Sequence, residues 1–566
     1  MMLPDARTTV DSSAEARPMP KVNALVEQKH GWQRHTVGGA TIWFRGYVHG
    51  RTVGQVAAEA AALTEVTAAS WLDRLDGHYS LIVLCSDRAL AAVDPVRSSP
   101  LVWARDGDSL VVTHDGPAME TRLCLGPDDI DPAMATAVAH SGYTIGDATL
   151  YRRVRQLGPG EYLWVDGGGA SQRRYHRWQP WRPADADPND LAGPLSALNR
   201  KLIGDLVAGA GGRTILVPLS AGLDSRFMAS GLKEAGYDKV RCVAYGLPGN
   251  RDAVTSREIA RRLGYEWTFV PYTQRNMRRT FHESDYASYK AYSDSLTGIH
   301  FPQEYRMVRE MISAHGLEED AIIVNGQAGD FIAGNHVPAS LFQPGGGAED
   351  RRERIVAALM AKHFRHWSAV ATPAGMAAIA SLLGEEIEAI GGMPGDPTGD
   401  HGVYEYCEFQ DRQIKYVLNG QRTYEYLGLD WRLPLWDRAY MDFWEQAPLA
   451  AKKQENLYRS VLTRDNWGGV WQDVPVNPSR VRPGWIRPLR ALAKVALAPL
   501  GRTRWHRFER RIFQYWMSTT CGYAAWPWRR VAFDGRGHVG ATSWHAADYL
   551  AGKGLLLDGG TAGERA

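Results

Sequence analysis

The residues with chemical potential in this 566-residue sequence gather in two short loops. The first is Leu219-Ser220-Ala221-Gly222-Leu223-Asp224-Ser225, inside RTILVPLSAGLDSRFMASGLKEAG. The β-formers Ile215, Leu216 and Val217 stop at Pro218, small residues follow, and a helical pattern restarts at Asp224. A strand, a tight small-residue turn and a helix N-terminus make an anion site. The turn and first helical N–H groups lack intrahelical partners, and the helix dipole adds partial positive charge. The expected guest is a phosphate or pyrophosphate. A carboxylate beside such a guest is repulsive unless a cation lies between them, so Asp224 points to Mg2+. The second loop, NGQAGD (325–330), also follows an apolar run and contributes Gly326, Gln327 and Asp330.

Both loops need strand ends to hold them. A helix-like stretch near 190–208 precedes the first loop. The chain then alternates a helix to Gly236, the strand VRCVAYG, the helix DAVTSREIARRLG, the strand EWTFVPY and the strand AIIVNG. This alternation predicts a parallel α/β sheet with ligands beyond the carboxyl ends of its strands. Earlier, from ATIWFRGYV to THD, short apolar runs are broken by Asp-Gly, Arg-Asp-Gly-Asp and Pro, which predicts a strand-rich domain. QPWRPADADPND, near 179–190, supplies the boundary. The domains expected are a loose tail (1–20), a strand-rich domain (21–180), a nucleotide-binding domain (190–480) and a basic, Trp-rich helical extension (481–566).

Composition bounds the function. A formal net charge of +2 excludes a nucleic-acid partner organised around a general basic field. The five cysteines are scattered without a C-x-x-C pair, so they are expected to be reduced structural thiols. No segment reads as a secretory signal or a membrane span, and a cytoplasmic location is expected.

Together the motifs resemble the asparagine synthetase family. PLSAGLDSR is similar to its pyrophosphate loop, Ser-Gly-Gly-x-Asp-Ser, with Ala221 replacing the first Gly. CVAYGLPGNRDAVTSREIARRLG resembles the segment behind that loop. NGQAGDFIAGNH resembles Ser-Gly-Glu-Gly-x-Asp-Glu-x-x-x-Gly-Tyr, and LGLDWRLPLWDRAYMDFWEQAP resembles Gly-Val-Glu-x-Arg-x-Pro-Phe-x-Asp. LDGHYSLIVLCSDRALAAVDPVRSSPLVW is similar to the core of the family's amino-terminal glutaminase domain. The implied fold class is α/β: an amino-terminal α+β Ntn-hydrolase-like sandwich, then a parallel-sheet α/β adenine-nucleotide α-hydrolase-like (PP-loop ATPase) synthetase domain. The resemblance implies that Leu219, Ser220, Gly222, Asp224 and Ser225 hold the pyrophosphate of ATP, with Gly326 beside them. Ala244, Tyr245 and Gly246 would offer backbone to adenine, and Asp224 with Asp330 would bind Mg2+. A lone Asp at a helix start is ordinarily an N-cap, but two at successive family motifs read as a metal pair. The reaction implied is attack of a substrate carboxylate on the α-phosphate, loss of pyrophosphate, and displacement of AMP by an amine.

The sequence departs from the family in three places. The glutaminase needs a Cys freed at residue one, whereas this sequence begins Met-Met-Leu with no Cys before Cys85. The first domain is therefore expected to be a degenerate scaffold, with ammonia or an amine supplied otherwise, for instance by a separate glutaminase. Gln327 stands where the family has its catalytic Glu, and an amide takes no proton at neutral pH. His336 is a nearby alternative base. In VPVNPSRVRPGW, Arg480 and Arg482 stand where a transition-state Lys is expected, and either suits a phosphoryl oxygen. Arg432 and Asp437 read equally as a structural ion pair or as substrate contacts.

The carboxylate substrate is open between aspartate and a specialised acceptor such as a surface-polysaccharide uronic acid. The alternatives are a peptide or β-lactam-type cyclase of the same family and a nucleotide-binding pseudoenzyme. The basic carboxyl-terminal segment reads either as a helix touching anionic lipid or as one packed on the synthetase domain with a solvated basic face.

Overall fold

The computed structural model describes residues 19–343, 345–476, 483–497, 499 and 501–557. The expected loose tail falls outside them except for Met19 and Pro20, and Arg480 and Arg482 also lie outside the described residues.

The amino-terminal half is a four-layer α-β-β-α sandwich. One sheet holds β2 (Gln33–Val37), β3 (Ala40–Val48), β4 (Gly77–Leu84), β5 (Ala89–Val93), β9 (Glu161–Asp166) and β10 (Gly169–Arg174) in the order β10-β9-β5-β4-β3-β2, all antiparallel. The other holds β1 (Lys21–Leu25), β6 (Val102–Asp106), β7 (Ser109–Thr113) and β8 (Val154–Gln156) in the order β1-β7-β6-β8. Alternation along the strands decides the layers. Ile82, Ala91 and Val93 meet Leu110 and Val112 between the sheets. The alternate residues Leu81, Val83 and Ala92 face outward onto Val56, Ala60, Trp71 and Leu72 of the helices Val53–Ala61 and Glu65–Asp73. On the far side, Val111 packs on Met119 and Val138 of two further helices. This is the α+β sandwich expected from the sequence.

The second half is built on a five-stranded parallel sheet of β11 (Ile215–Pro218), β12 (Val240–Gly246), β13 (Glu266–Pro271), β14 (Ile322–Val324) and β15 (Asp430–Arg432), in the order β13-β12-β11-β14-β15. β11, β12 and β14 are almost continuously apolar because helices cover both faces. No sequence pattern announces β15. It is three residues long with charged ends, and pairing with β14 makes it a strand.

The two halves interlock through main chain. Residues 294–299 exchange backbone hydrogen bonds with the first half, among them Thr144 N–H to Thr297 O at 2.9 Å and Ile299 N–H to Gly142 O at 2.9 Å. Arg432 and Asp437 take partners across the same junction rather than each other. The Arg432 guanidinium lies 4.0 Å over the Tyr47 ring, and Asp437 faces His49 at 3.7 Å and His78 at 3.9 Å. An ion pair between them, one of the two readings of the sequence, is not among the described ion pairs.

Among the described residues no helix is long and apolar enough to cross a membrane. All five cysteines are free thiols.

Candidate active site

β11, β12 and β14 end side by side, and a cavity of about 620 Å3 opens beyond their carboxyl ends, a size typical of small-ligand sites. Leu219, Ser220, Gly222, Asp224 and Ser225 line it from the first loop, Ala244 and Tyr245 from β12, and Gly326, Gln327 and Asp330 from the second loop. Of the site residues expected from the sequence, Gly246 alone among those described stands back. Thr519 O covers it, 2.9 Å from where a Cβ would project, and Gly246 has φ +117°. Any side chain there would collide and would be strained.

The first loop is braced from within. Ser225 Oγ accepts from Ser220 N–H at 2.9 Å, and Ser220 Oγ accepts from Gly222 N–H at 3.0 Å. Asp252 Oδ1 accepts from Ala221 N–H at 2.6 Å, so a carboxylate already occupies one anion position of the turn. Behind it the Arg226 guanidinium donates to four carbonyls, those of Ala221, Val470, Val474 and Pro475, at 2.9–3.1 Å. Arg226 thereby ties the loop to the chain running toward residue 476.

Asp224 is the first residue of the helix Asp224–Glu234 and not its cap; the cap position is Leu223, which makes no side-chain bond. Its Oδ2 accepts from Asp330 N–H at 3.1 Å and its Oδ1 from Tyr458 OH at 3.2 Å. This approach requires a glycine at 329, because a Cβ there would lie 2.2 Å from Asp224 Oδ1. Burial, and next the charge of Asp330, push the Asp224 carboxyl well above its ordinary range. Burial works in the same direction on Asp330, but the hydrogen bond and charge of His336 outweigh it and leave Asp330 lowered. The charge of Asp330 beside the Asp224 carboxyl is what a divalent cation between them would relieve. Among the described residues no cluster of three or more His, Cys, Asp or Glu could hold a metal. The pair thus fits Mg2+ only if phosphate or water oxygens complete its shell, as is usual for that ion.

His336 is not an exposed loop histidine. Its Nε2 lies 3.4 Å from Asp330 Oδ2 and its Nδ1 meets Glu408. Glu408, fully buried, also meets Lys362 at 3.0 Å, His363 at 3.3 Å and Arg412 at 3.5 Å. Burial alone would raise Glu408; hydrogen bonds from His336 and His363 hold it well below the usual range. Gln327 is oriented by its N–H to Asn325 Oδ1 at 3.0 Å, and Gln421 Nε2 donates to its side-chain oxygen at 3.3 Å.

Several cavity residues carry no sequence motif. Glu304 lines the wall near Gln327, accepts from Tyr245 OH at 3.3 Å and from Tyr424 OH, and is raised by burial. Glu455, Arg459, Thr519 and Thr520 complete the rim. Thr519 O accepts from Leu247 N–H at 2.8 Å, while Gln274 Nε2 and Arg278 Nε grip Tyr515 O at 2.9 Å and Ala524 O at 3.3 Å. The carboxyl-terminal segment is therefore a wall of the site. From Thr519 an open groove of about 720 Å3 runs on past Arg365, His506 and Arg510.

The cavity lies where the strand order reverses between β11 and β14, the usual place for a ligand in an open parallel α/β sheet. Residues 210–464 match the family described as asparagine synthase. The chain is 24% identical over 233 residues to asparagine synthetase B [glutamine-hydrolyzing] of Escherichia coli (strain K12), covering 38% of this chain and 39% of that protein. It thus spans about two fifths of the length of that curated relative. Solved structures with some similarity include the allosteric regulatory enzyme of purine biosynthesis, at 13% identity, with 42% of this chain and 61% of that chain covered and a TM-score of 0.17. Another is glutamine phosphoribosylpyrophosphate amidotransferase from B. subtilis complexed with ADP and GMP, at 12% identity, 52% and 57% coverage and a TM-score of 0.17. Scores this low carry no structural argument.

Proposed function

We propose that this chain is an ATP-dependent, AMP-forming carbon–nitrogen ligase that adenylates a carboxylate and passes the acyl group to ammonia or an amine. The observation that carries it is the meeting of Asp224 and Asp330, from two loops 106 residues apart, at the mouth of one cavity with the Ser220–Ser225 turn.

In this reading ATP lies with its base toward Ala244–Gly246 and Thr519 and its phosphates over the Ser220–Ser225 turn. Asp224 and Asp330 would hold Mg2+, whose charge offsets that of the phosphates and the departing pyrophosphate. The turn N–H groups and the helix N-terminus do the same for the oxygens they reach, which supports a better leaving group at the α-phosphorus. Asp252 would give up Ala221 N–H to a phosphate oxygen. The acceptor carboxylate enters beside Gln327, whose amide orients it or the incoming amine without moving a proton. Glu304, buried and raised, is placed to take the amine proton, a role the resemblance would give to position 327. Arg480 and Arg482 remain proposed partners of the adenylate phosphate. The groove past Arg365 and Arg510 suits an acidic acceptor larger than aspartate, such as a uronic acid of a surface glycan.

The test is carboxylate-dependent exchange of pyrophosphate into ATP, run with aspartate, uronates and peptide carboxylates. Exchange with one class identifies the acceptor. MgATP binding without exchange on any carboxylate would favour the pseudoenzyme, whose supporting observation is the amide at Gln327.

A further inference from the structure

We infer that the outward face of the helix Ile486–Leu497, presenting Leu489, Leu492 and Val495 with Trp485 just before its start, docks this protein on the surface of an anionic lipid bilayer.

That helix has two apolar faces. Ile486, Ala493 and Leu497 turn inward and pack with Trp505, Phe508 and Phe513 of the adjoining helix Arg502–Ile512 and its end. This contact already satisfies the need of an amphipathic helix to bury one stripe. The other stripe stays in water: Trp485 is 55% exposed, Leu489 52%, Leu492 70% and Val495 76%. These four make up most of the large exposed hydrophobic residues among the described ones; Val66, Val254 and Phe533 stand apart from them in sequence. Scattered apolar residues are ordinary on a protein surface, whereas three on one face of a three-turn helix with a tryptophan just ahead of it mark an interaction site.

Charge selects the occupant. Residues 485–513 contain eight Lys and Arg and a single acidic residue, Glu509, while the whole chain carries a net charge of only +2. Arg490 is paired with Glu509 at 2.5 Å, pinning the two helices together. Lys494, Arg502, Arg504 and Arg507 are exposed. A second copy of this chain would bring two such basic surfaces into contact, which is repulsive. A sheet of acidic lipid offers both what the arginines and lysines attract and what the leucines need. At twelve residues the helix is about 18 Å long, too short to cross a bilayer, so it lies in the interface. The same chain segment continues to Thr519 and Thr520 in the cavity wall, so docking would bring the site close to the lipid surface.

The test uses the full chain in co-sedimentation with vesicles of phosphatidylcholine alone or with about 30% phosphatidylglycerol added. Binding at least ~10-fold tighter to the anionic vesicles, weakened by raising salt, is expected. Leu489→Ser with Leu492→Ser should lower it about 10-fold, and Arg502→Gln with Arg504→Gln and Arg507→Gln should remove the preference for anionic lipid. Unchanged melting temperature and unchanged ATP binding show that the variants fold. Equal binding to both vesicles, no binding to either, or binding indifferent to the leucine substitutions would overturn the proposal. So would sedimentation equilibrium showing a dimer that the leucine substitutions dissociate, or capture of an acidic protein in place of lipid.

Discussion

The cavity has two kinds of wall. One is made by the loops after β11 and β14, which are short, glycine-bearing and set at the ends of neighbouring parallel strands. The other is made by Glu304, Glu455, Arg459 and Thr519–Thr520, which come from helical segments and a carboxyl-terminal segment up to about 300 residues away from the first loop. The first wall is built by local geometry and, in the proposed reaction, would meet the phosphates and the cation. The second is built by tertiary packing and would meet the base, the acceptor and the amine. The loops should therefore govern adenylation, and the distant residues should govern the transfer of the acyl group to the amine.

The sharpest division between the walls is Glu304→Gln. The glutamine has nearly the same shape and keeps one acceptor oxygen, for Tyr245 or for Tyr424, but takes no proton. Amide formation is expected to fall about 10²- to 10⁴-fold, the usual worth of a general base. Pyrophosphate exchange should stay within a few-fold. Rapid-quench measurement of both half-reactions checks this, and equal losses would erase the distinction.

Gly329→Ala attacks the first wall instead. A methyl placed 2.2 Å from Asp224 Oδ1 must push the two loops apart, and a displacement near 1 Å costs about 100-fold in rate. Exchange itself should drop by that much, with the melting temperature showing whether the fold survives.

Behind Asp330, Glu408→Gln should cost about 3 kcal/mol at neutral pH, since it takes the buried carboxylate away from His336, His363, Lys362 and Arg412. The pH dependence has a definite sign. The folded pKa of Glu408 lies well below its ordinary 4.5, so its stabilisation is fully present above 4.5 and is lost as pH falls through the depressed value. The wild-type advantage over the variant in denaturant unfolding should therefore be full at pH 7 and shrink toward pH 3.

The smallest effect belongs to the far wall. Thr520→Val removes one hydroxyl from the rim, and a single neutral hydrogen bond is worth about 0.5–1.5 kcal/mol. The KM for ATP or for the acceptor should rise about 2- to 10-fold with kcat little changed. Which of the two KM values moves tells which ligand the carboxyl-terminal segment touches.

The same division explains what could be read from the sequence. Ile215-Leu216-Val217 followed by small residues and Asp224 announces a strand, turn and helix because every determinant lies within a dozen residues, and the parallel sheet comes from repeating that alternation. β15 escapes because Asp430-Trp431-Arg432 has no strand pattern of its own and exists through its pairing with β14. Arg432 and Asp437 look like partners because they are close in sequence, yet their neighbours Tyr47, His49 and His78 belong to the amino-terminal sandwich. His336 looks like a loose loop residue until the fold sets Glu408, 72 residues on, against its Nδ1. Glu304 and Thr520 sit in no motif, and no local signal could have singled them out.

In the proposed mechanism Asp224 and Asp330 form one cation-dependent nucleotide site, and titration calorimetry of ATP tests this most directly. With wild-type protein, Mg2+ should tighten ATP binding at least ~10-fold over EDTA, the effect of placing a divalent charge between carboxylates and phosphates. In Asp330→Ala that difference should vanish. ATP binding of equal strength with and without Mg2+, in the wild type and the variant alike, would contradict it.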